Sequence, residues 1–312
     1  MTRTIETEHA MKAVLLHEYG GPDRLRYEDT DVPDYGDNEV LVRMHATSIN
    51  PIDYKVRGGT AKDRFPVEFP AILGRDLAGE VEAWGRDVTG FSKGMHVMAL
   101  TTRTYAEYVV VKAEILSPIP DALTYEQAGA LPLVTLTGTQ LIERAVKPQP
   151  GQTVLVTGGL GSVGRTAVHA ARKHGARVLA GVRRNELDEA KQRLQVDAIA
   201  IDDEDEVAKL RDLDAIADTV GGPTVQRLLH AVRSGGVVGS VLGKPQGADN
   251  YQIRVEAMMV IPDASRLYQL AEDLARGEFS IPIARVMKLS EIQEAHRLAE
   301  RHESKGKIVL VP

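Results

Sequence analysis

The stretch Thr153–Gly164 reads Thr-Val-Leu-Val-Thr-Gly-Gly-Leu-Gly-Ser-Val-Gly. An apolar run of the buried-strand kind passes straight into closely spaced glycines, and a helical pattern follows. Residues in that order can hold a pyrophosphate. The glycine turn bares backbone N–H groups, and the helix turns its positive dipole end toward the anion. Gly159 is expected to make the tight turn, Gly161 to let the backbone approach the phosphates, and Gly164 to let the helix pack close to the strand. Gly158, Leu160, Ser162 and Val163 complete the candidate loop. About twenty residues further on, NAD-binding chains place an Asp or Glu against the ribose hydroxyls. Here that corner reads Gly181-Val182-Arg183-Arg184, and Glu186 comes only after the turn. A guanidinium fork suits the extra 2′-phosphate of NADPH. Arg183 and Arg184 are therefore the candidate readers of that phosphate, the alternative being two solvated charges at a helix start.

The elements around this loop follow from periodicity. A helix is expected over Ser162–His174, with Val163, Ala167, Ala170 and Ala171 on its apolar stripe and Gly175 at its C-cap. Strands at Arg177–Val182, Ala198–Ile201, Ala215–Thr219 and Gly236–Val241 alternate with helices at Asn185–Leu194, Glu204–Leu210 and Thr224–Val232. Such alternation predicts a doubly wound parallel sheet. Ligands of these sheets lie beyond the carboxyl ends of the strands. Thr219, Val220 and Gly221 on one strand end, and Ser240 and Leu242 on the next, are thus further cofactor-binding candidates.

Residues 11–130 read differently. Short strands are expected at Lys12–Leu16, Val40–Ala46, Gly79–Trp84, His96–Leu100 and Ala106–Val111, punctuated by Gly, Pro and Asp. That spacing suggests a strongly bent sheet or partial barrel. Thr124 and Gln127 form a capping-box pattern, Pro132 interrupts the helix it opens, and Val134–Arg144 continues as a second helix. After a strand at Arg254–Val260, Pro262-Asp263 opens a helix ending near Gly277. Ser290 caps another, to about Arg301, and a strand at Lys307–Val311 comes last. The tail is expected to fold back on the first domain. The expected division is 11–133 with 263–312 for one domain and 134–262 for the nucleotide domain.

Composition bounds the function. The chain has 312 residues, 43% hydrophobic and 26% charged, with a net charge of −6. No basic stripe marks it as a nucleic-acid binder, and no apolar run approaches the roughly twenty residues of a membrane span. Met1–Ala10 reads as a polar extension without a signal core, so the cytoplasm is the expected location. There is no cysteine, which removes disulfides, thiolate zinc sites and thiol nucleophiles. The nine histidines show no metal-ligand spacing. His296 and His302 are placed on a late polar helix as surface or packing residues.

Beyond these local patterns the chain resembles the medium-chain dehydrogenase/reductase superfamily, in its zinc-free quinone oxidoreductase and alkenal/enone reductase branch. The resemblance covers nearly everything from Met11 onward. It is carried by His17–Pro22, Ser48–Lys55, Leu73–Gly79, Tyr105–Tyr108, Leu131–Thr137, the glycine fingerprint, Asp218–Gly221 and Gly306–Val309. It implies a GroES-like β-rich catalytic domain, a Rossmann NADPH-binding domain, a cleft between them and a homodimer. Zinc-using relatives carry a Cys ligand near Asn50, a His-Glu pair near Arg75-Asp76 and a four-Cys lobe, none of which stands here. The implied chemistry is hydride addition to a quinone or an α,β-unsaturated carbonyl, whose conjugation spreads the incoming charge so that hydrogen-bond donors can stabilise it.

By the same resemblance Asn50 and Tyr54 line the substrate side as catalytic candidates. Asn50 is equally readable as a turn residue before Pro51, and Tyr54 as a packing residue. Several reductases of the branch carry their tyrosine one position later, where this chain has Lys55. Lys55 and Arg57 read as solvated, and Asp53 as a loop hydrogen-bonder. Thr135 and Thr137 resemble positions near the nicotinamide, with a helix-interior role as the alternative; Lys307 on the last strand is within reach of the cofactor's phosphates, the alternative being a solvated lysine. The branch's tyrosine near Ile201 is replaced by Ile201-Asp202. Two other functions fit the pattern: reduction of an enoyl thioester, and NADPH binding without catalysis as a redox sensor.

Overall fold

A computed structural model describes residues 10–301 and 305–312; the N-terminal extension and His302 lie outside them. The elements run β1 (Ala10–Leu16), β2 (Leu25–Asp31), β3 (Glu39–Ser48), α1 (Pro51–Arg57), β4 (Ala71–Ile72), β5 (Asp76–Trp84), β6 (His96–Leu100), β7 (Tyr108–Lys112), β8 (Ser117–Pro118) and α2 (Tyr125–Gly129). Next come α3 (Pro132–Gln140), β9 (Thr153–Thr157), α4 (Ser162–Lys173), β10 (Arg177–Val182), α5 (Leu187–Leu194), β11 (Asp197–Ala200), α6 (Glu204–Lys209) and β12 (Leu213–Asp218). The remainder is α7 (Gly222–Leu228), β13 (Val232–Ser240), β14 (Arg254–Ala257), α8 (Ala264–Ala275), β15 (Ile283–Lys288), α9 (Ile292–Glu300) and β16 (Lys307–Val311). Two compact units result. One comprises the described residues of Met1–Leu133, Pro262–Arg276 and Ile281–Pro312; the other comprises Val134–Ile261 and Gly277–Ser280.

The second unit is a six-stranded sheet in the order β11-β10-β9-β12-β13-β14, every neighbouring pair parallel. Parallel strands are covered on both faces, which is why Val154, Leu155 and Val156 of β9 are all buried. The order reverses between β9 and β12. Ligands of open α/β sheets sit in the crevice outside the carboxyl ends of the strands at such a switch point. The glycine loop after β9 and the Asp218–Gly221 turn after β12 both end there.

The first unit is β-rich. A seven-stranded sheet runs β15-β16-β3-β5-β6-β8, with β7 also on β3, and a three-stranded sheet runs β2-β1-β4. β3 organises the larger sheet: Glu39–Arg43 pair with β7, while Thr47 and Ser48 pair with the last strand, β16. Its register with β5 shifts at Leu41/Val42 and at Met44/Ala46, irregularities of the kind that bend a strand. The core beneath includes Val14, Leu16, Val42, Leu77, Val97 and Leu310. The pairing of β16 with β3 brings the last strand against Thr47 and Ser48 and sets Lys307 beside the Ile49–Asn50 turn.

Several local expectations change. β2 and β15 were not legible as strands, and the Arg254 strand ends at Ala257, well short of Val260. The last helix is not capped by Ser290. Residues Leu289–Glu291 form a 3-10 turn in which the Glu291 carboxylate accepts Lys288 N–H at 2.8 Å, and the helix starts at Ile292. Thr124 and Gln127 do make a reciprocal capping box. Pro132 then opens α3, which runs into a π-type turn at Leu141–Val146.

Candidate functional site

In the nucleotide unit the left-handed turn falls on Gly158, at φ +65°, one residue before the expected Gly159. Any Cβ on Gly158 would lie 2.9 Å from both Thr219 Oγ1 and Val220 Cγ2. Gly159 needs its hydrogen for packing, since a Cβ there would sit 2.9 Å from that of Ala180 on β10. Gly161 is the N-cap of α4, and Ser162 and Val163 open the helix. At Gly164 a Cβ would be 2.0 Å from Gly158 O; only glycine lets the helix come this close. Leu160 packs on the core, and its carbonyl accepts Arg165 Nε at 2.8 Å. Arg165 is buried and was not a candidate from sequence.

The adjoining turn is organised by Asp218, the first residue of the Asp218–Gly221 motif. Its Oδ1 accepts Thr157 Oγ1 at 3.0 Å, Val220 N at 3.1 Å and Gly221 N at 2.9 Å. Its Oδ2 accepts Ser240 Oγ at 2.8 Å, and Leu242 N donates to that hydroxyl at 3.1 Å. Thr219 Oγ1 donates to Thr157 O at 2.6 Å. Thr219 and Ser240 therefore spend their hydroxyls in fixing the loops. The side chains left facing outward are Val220, 44% exposed, and Leu242, 47% exposed. A buried aspartate at a strand end, followed by Thr and Gly, is the signal that marks such a hub.

The two arginines part company. Arg184 pairs with Asp203 and with Glu206 at 3.2 Å, and its N–H donates to Asp202 at 2.8 Å. The Arg183 backbone N–H donates to Glu186 at 3.2 Å, while its exposed guanidinium has no partner among the described residues. On α3, Thr135 is buried and engaged. The buried Thr137 hydroxyl has no partner among the described residues.

The first unit holds a second cluster, at the turn between β3 and α1. Asn50 caps α1 in a reciprocal box with Asp53, whose Oδ2 accepts Asn50 N–H at 2.8 Å and the Tyr105 hydroxyl at 3.0 Å. The Asn50 amide is itself fully spent. Its Nδ2 donates to Asp76 Oδ2 at 2.7 Å and weakly to Ser48 O at 3.4 Å, while its Oδ1 accepts Lys307 Nζ at 2.6 Å. Lys307, 5% exposed, also donates to Ile49 O at 3.1 Å and to Asp76 Oδ2 at 3.3 Å. Asp76 further accepts Ser48 Oγ and, through Oδ1, Leu133 N–H at 2.7 Å. The ammonium of Lys307 is thus enclosed in the GroES-like unit by three acceptors. Burial raises the Asp53 carboxyl from the ordinary 3.8 to about 7, against the two hydrogen bonds that pull it down.

Tyr54 follows Asp53 on α1. It is half-buried against the core, and its hydroxyl has no partner among the described residues. Burial first, and the nearby Glu300 and Asp53 next, push this phenol's pKa up, so it remains a hydrogen-bond donor at neutral pH. Arg57 is not solvated: it is buried, donating to Gly20 O at 3.1 Å, to His296 Nδ1 at 3.1 Å and to Glu300 at 2.5 Å. His296, also buried, is lowered to about 3 by burial and by Arg57, and is neutral.

Comparison with known proteins identifies the family. Residues 36–121 match the alcohol dehydrogenase GroES-like domain, and residues 190–310 match the zinc-binding dehydrogenase family. A quinone oxidoreductase of Pseudomonas aeruginosa is 30% identical over 96% of this chain and 99% of its own. That of mouse is 34% identical over 54% of this chain and 51% of its own, so this match spans about half of the relative's length. A mycobacterial protein solved in complex with NADPH superposes with a TM-score of 0.84 at 25% identity, over 97% of this chain and all of that one. The chain belongs to the quinone oxidoreductase branch of the medium-chain dehydrogenase/reductase superfamily.

Proposed function

We propose that the protein is an NADPH-dependent, metal-free reductase that transfers hydride to quinones or α,β-unsaturated carbonyl compounds. The observation that carries this reading is the Lys307 ammonium between Asn50 Oδ1 and Asp76 Oδ2. Zinc takes thiolate, imidazole and carboxylate donors in a tetrahedron. Here there is no thiol, the amide and carboxylate are spent on protein partners, and a fixed positive charge lies among them. The residues present do not fit a catalytic zinc, and a Lewis-acid step has no support from them.

They do fit a nicotinamide dinucleotide. Gly158–Gly164 and the N–H groups opening α4 would hold its pyrophosphate; Val220 and Leu242 offer apolar surface to its rings, and the orphaned Thr137 hydroxyl a polar contact. Arg183, with no guanidinium partner among the described residues where an NAD-type carboxylate would stand, suits the 2′-phosphate, whereas Arg184 is already paired. The bound cofactor supplies the hydride. The chain's own part is to orient the acceptor and to stabilise charge on its oxygen, and the Tyr54 O–H is the donor available for that. Asn50 serves by shaping the turn, its amide having no hydrogen left to offer.

A homodimer belongs to the proposal. β14 is the outermost strand of its sheet and leaves one edge with no strand partner among the described residues, an edge that proteins ordinarily cover. Among the described residues no helix is long and apolar enough to cross a membrane, and we place the protein in the cytoplasm.

The test is to follow NADPH absorbance with benzoquinones, short enones and an enoyl-coenzyme A. Consumption with the first two is the expected outcome. Consumption with the thioester alone would make the protein an enoyl-thioester reductase, and tight NADPH binding without consumption would make it a sensor.

A further inference from the structure

We infer that Lys307 is a positioning residue: its ammonium is the built-in counter-ion that locks Asn50 and, through the Asn50–Asp53 cap, the helix turn carrying Tyr54. This rests on the functional reading above for what Tyr54 does, but not for what Lys307 holds. The chain of contacts is continuous. Lys307 Nζ reaches Asn50 Oδ1 at 2.6 Å, Ile49 O at 3.1 Å and Asp76 Oδ2 at 3.3 Å. Asn50 then receives its second restraint from Asp76 at 2.7 Å and closes its cap with Asp53 at 2.8 Å. Tyr54 is the next residue of that helix.

Three physical points give the ammonium this task. Asp76 is wholly buried, and a buried carboxylate is tolerated only when paired and hydrogen-bonded. Lysine's three donors match three acceptors, so nothing of the ammonium remains for a phosphate. Finally, Lys307 opens β16, whose Ile308 O accepts Ile49 N–H at 3.0 Å. The cation and the turn are therefore held by the same strand.

The experiment uses the full chain with Lys307→Ala, assayed for NADPH affinity, melting temperature and NADPH-dependent benzoquinone reduction, with and without ethylammonium chloride. The expected result is an NADPH Kd within about twofold of wild type, a lowered melting temperature and kcat reduced about a hundredfold, the scale of an ångström-level misplacement. Ethylammonium, small enough for the vacated space, is expected to raise both melting temperature and kcat, while sodium chloride at equal ionic strength does neither. Combined with Tyr54→Phe, the loss in kcat is expected to be less than the product of the two single losses, because both act on one contact. An NADPH Kd weakened tenfold or more with kcat intact would instead make Lys307 a cofactor ligand, and absence of any ethylammonium effect on melting would also overturn the proposal. Should wild type reduce no acceptor, the functional reading fails by itself, and the Kd and amine-dependent melting still decide for or against the counter-ion. Should Lys307→Ala not fold, Lys307→Met with Asp76→Asn removes both charges. Recovery of the fold supports the counter-ion role, and continued misfolding, with no charge left to pair and an apolar stem of similar length in place, overturns it.

Discussion

Arg183 and Arg184 are neighbours in sequence with opposite fates, and the difference lies in which carboxylates the fold brings near them. Asp203 and Glu206, on the turn and first residues of α6, neutralise Arg184, while the Arg183 guanidinium has no partner among the described residues. Sequence offered both guanidiniums as candidates because the acids that separate them lie about twenty positions away. Replacing Arg183 with Glu is expected to weaken NADPH about ten- to a hundredfold, the worth of one charge-assisted contact, and to leave NADH within about twofold. Titration of both nucleotides checks this, and an equal loss for the two would show that Arg183 does not read the 2′-phosphate. Arg184→Ala, by contrast, is expected to change neither affinity much. Asn50 gives the complementary lesson. Its two readings, substrate contact or turn residue, differ only in what surrounds the amide, and an amide with every polar atom spent serves the turn.

The α4 helix and the Asp53 cap each give an element-level expectation. Gly164→Ala would put a Cβ only 2.0 Å from Gly158 O. It is expected to lower stability by about 1–3 kcal/mol, as overpacking does, and to weaken NADPH by displacing the glycine loop; a melt of the variant with wild-type midpoint would contradict the close approach. Asp53 titrates near 7 in the fold against 3.8 ordinarily. A raised carboxyl pKa means the native state holds its proton longer than the unfolded chain, so this group's contribution is fully present below about pH 4 and is lost as pH rises through about 7. Asp53→Asn can keep both accepted hydrogen bonds and has nothing to ionise. Its stability relative to wild type is therefore expected to rise from pH 4 to 8, by about 1–3 kcal/mol; a pH-independent difference would mean that Asp53 is ionised throughout. Elements buried on two faces were legible, since β9 and β10 read as continuous apolar runs before the glycines. β2 was not, because Leu25-Arg-Tyr-Glu-Asp-Thr-Asp31 buries only Leu25 fully and is a strand only through its pairing with β1.

In the whole molecule, the first unit's polar cluster joins residues 257 positions apart in the chain, and no local pattern could announce it. Lys307 looked like a strand-end lysine with a phosphate to find; the pairing of β16 with β3 turns it inward. The same closure explains why Arg57, which read as solvated, is buried against His296, for which a packing role was one of two readings: each finds its partner at the other end of the sequence. The fold class was legible because it rests on repeated local alternation, whereas the site in the GroES-like unit depends on where the chain closes on itself. That site also carries the central claim, hydride reduction with a fixed ammonium where a metal-dependent enzyme would need open ligands. The most direct measurement is NADPH-dependent reduction of 1,4-benzoquinone by protein dialysed exhaustively against a chelator. The account expects turnover unchanged from the untreated protein and unaffected by added zinc. Activity that disappears on dialysis and returns with zinc would contradict it.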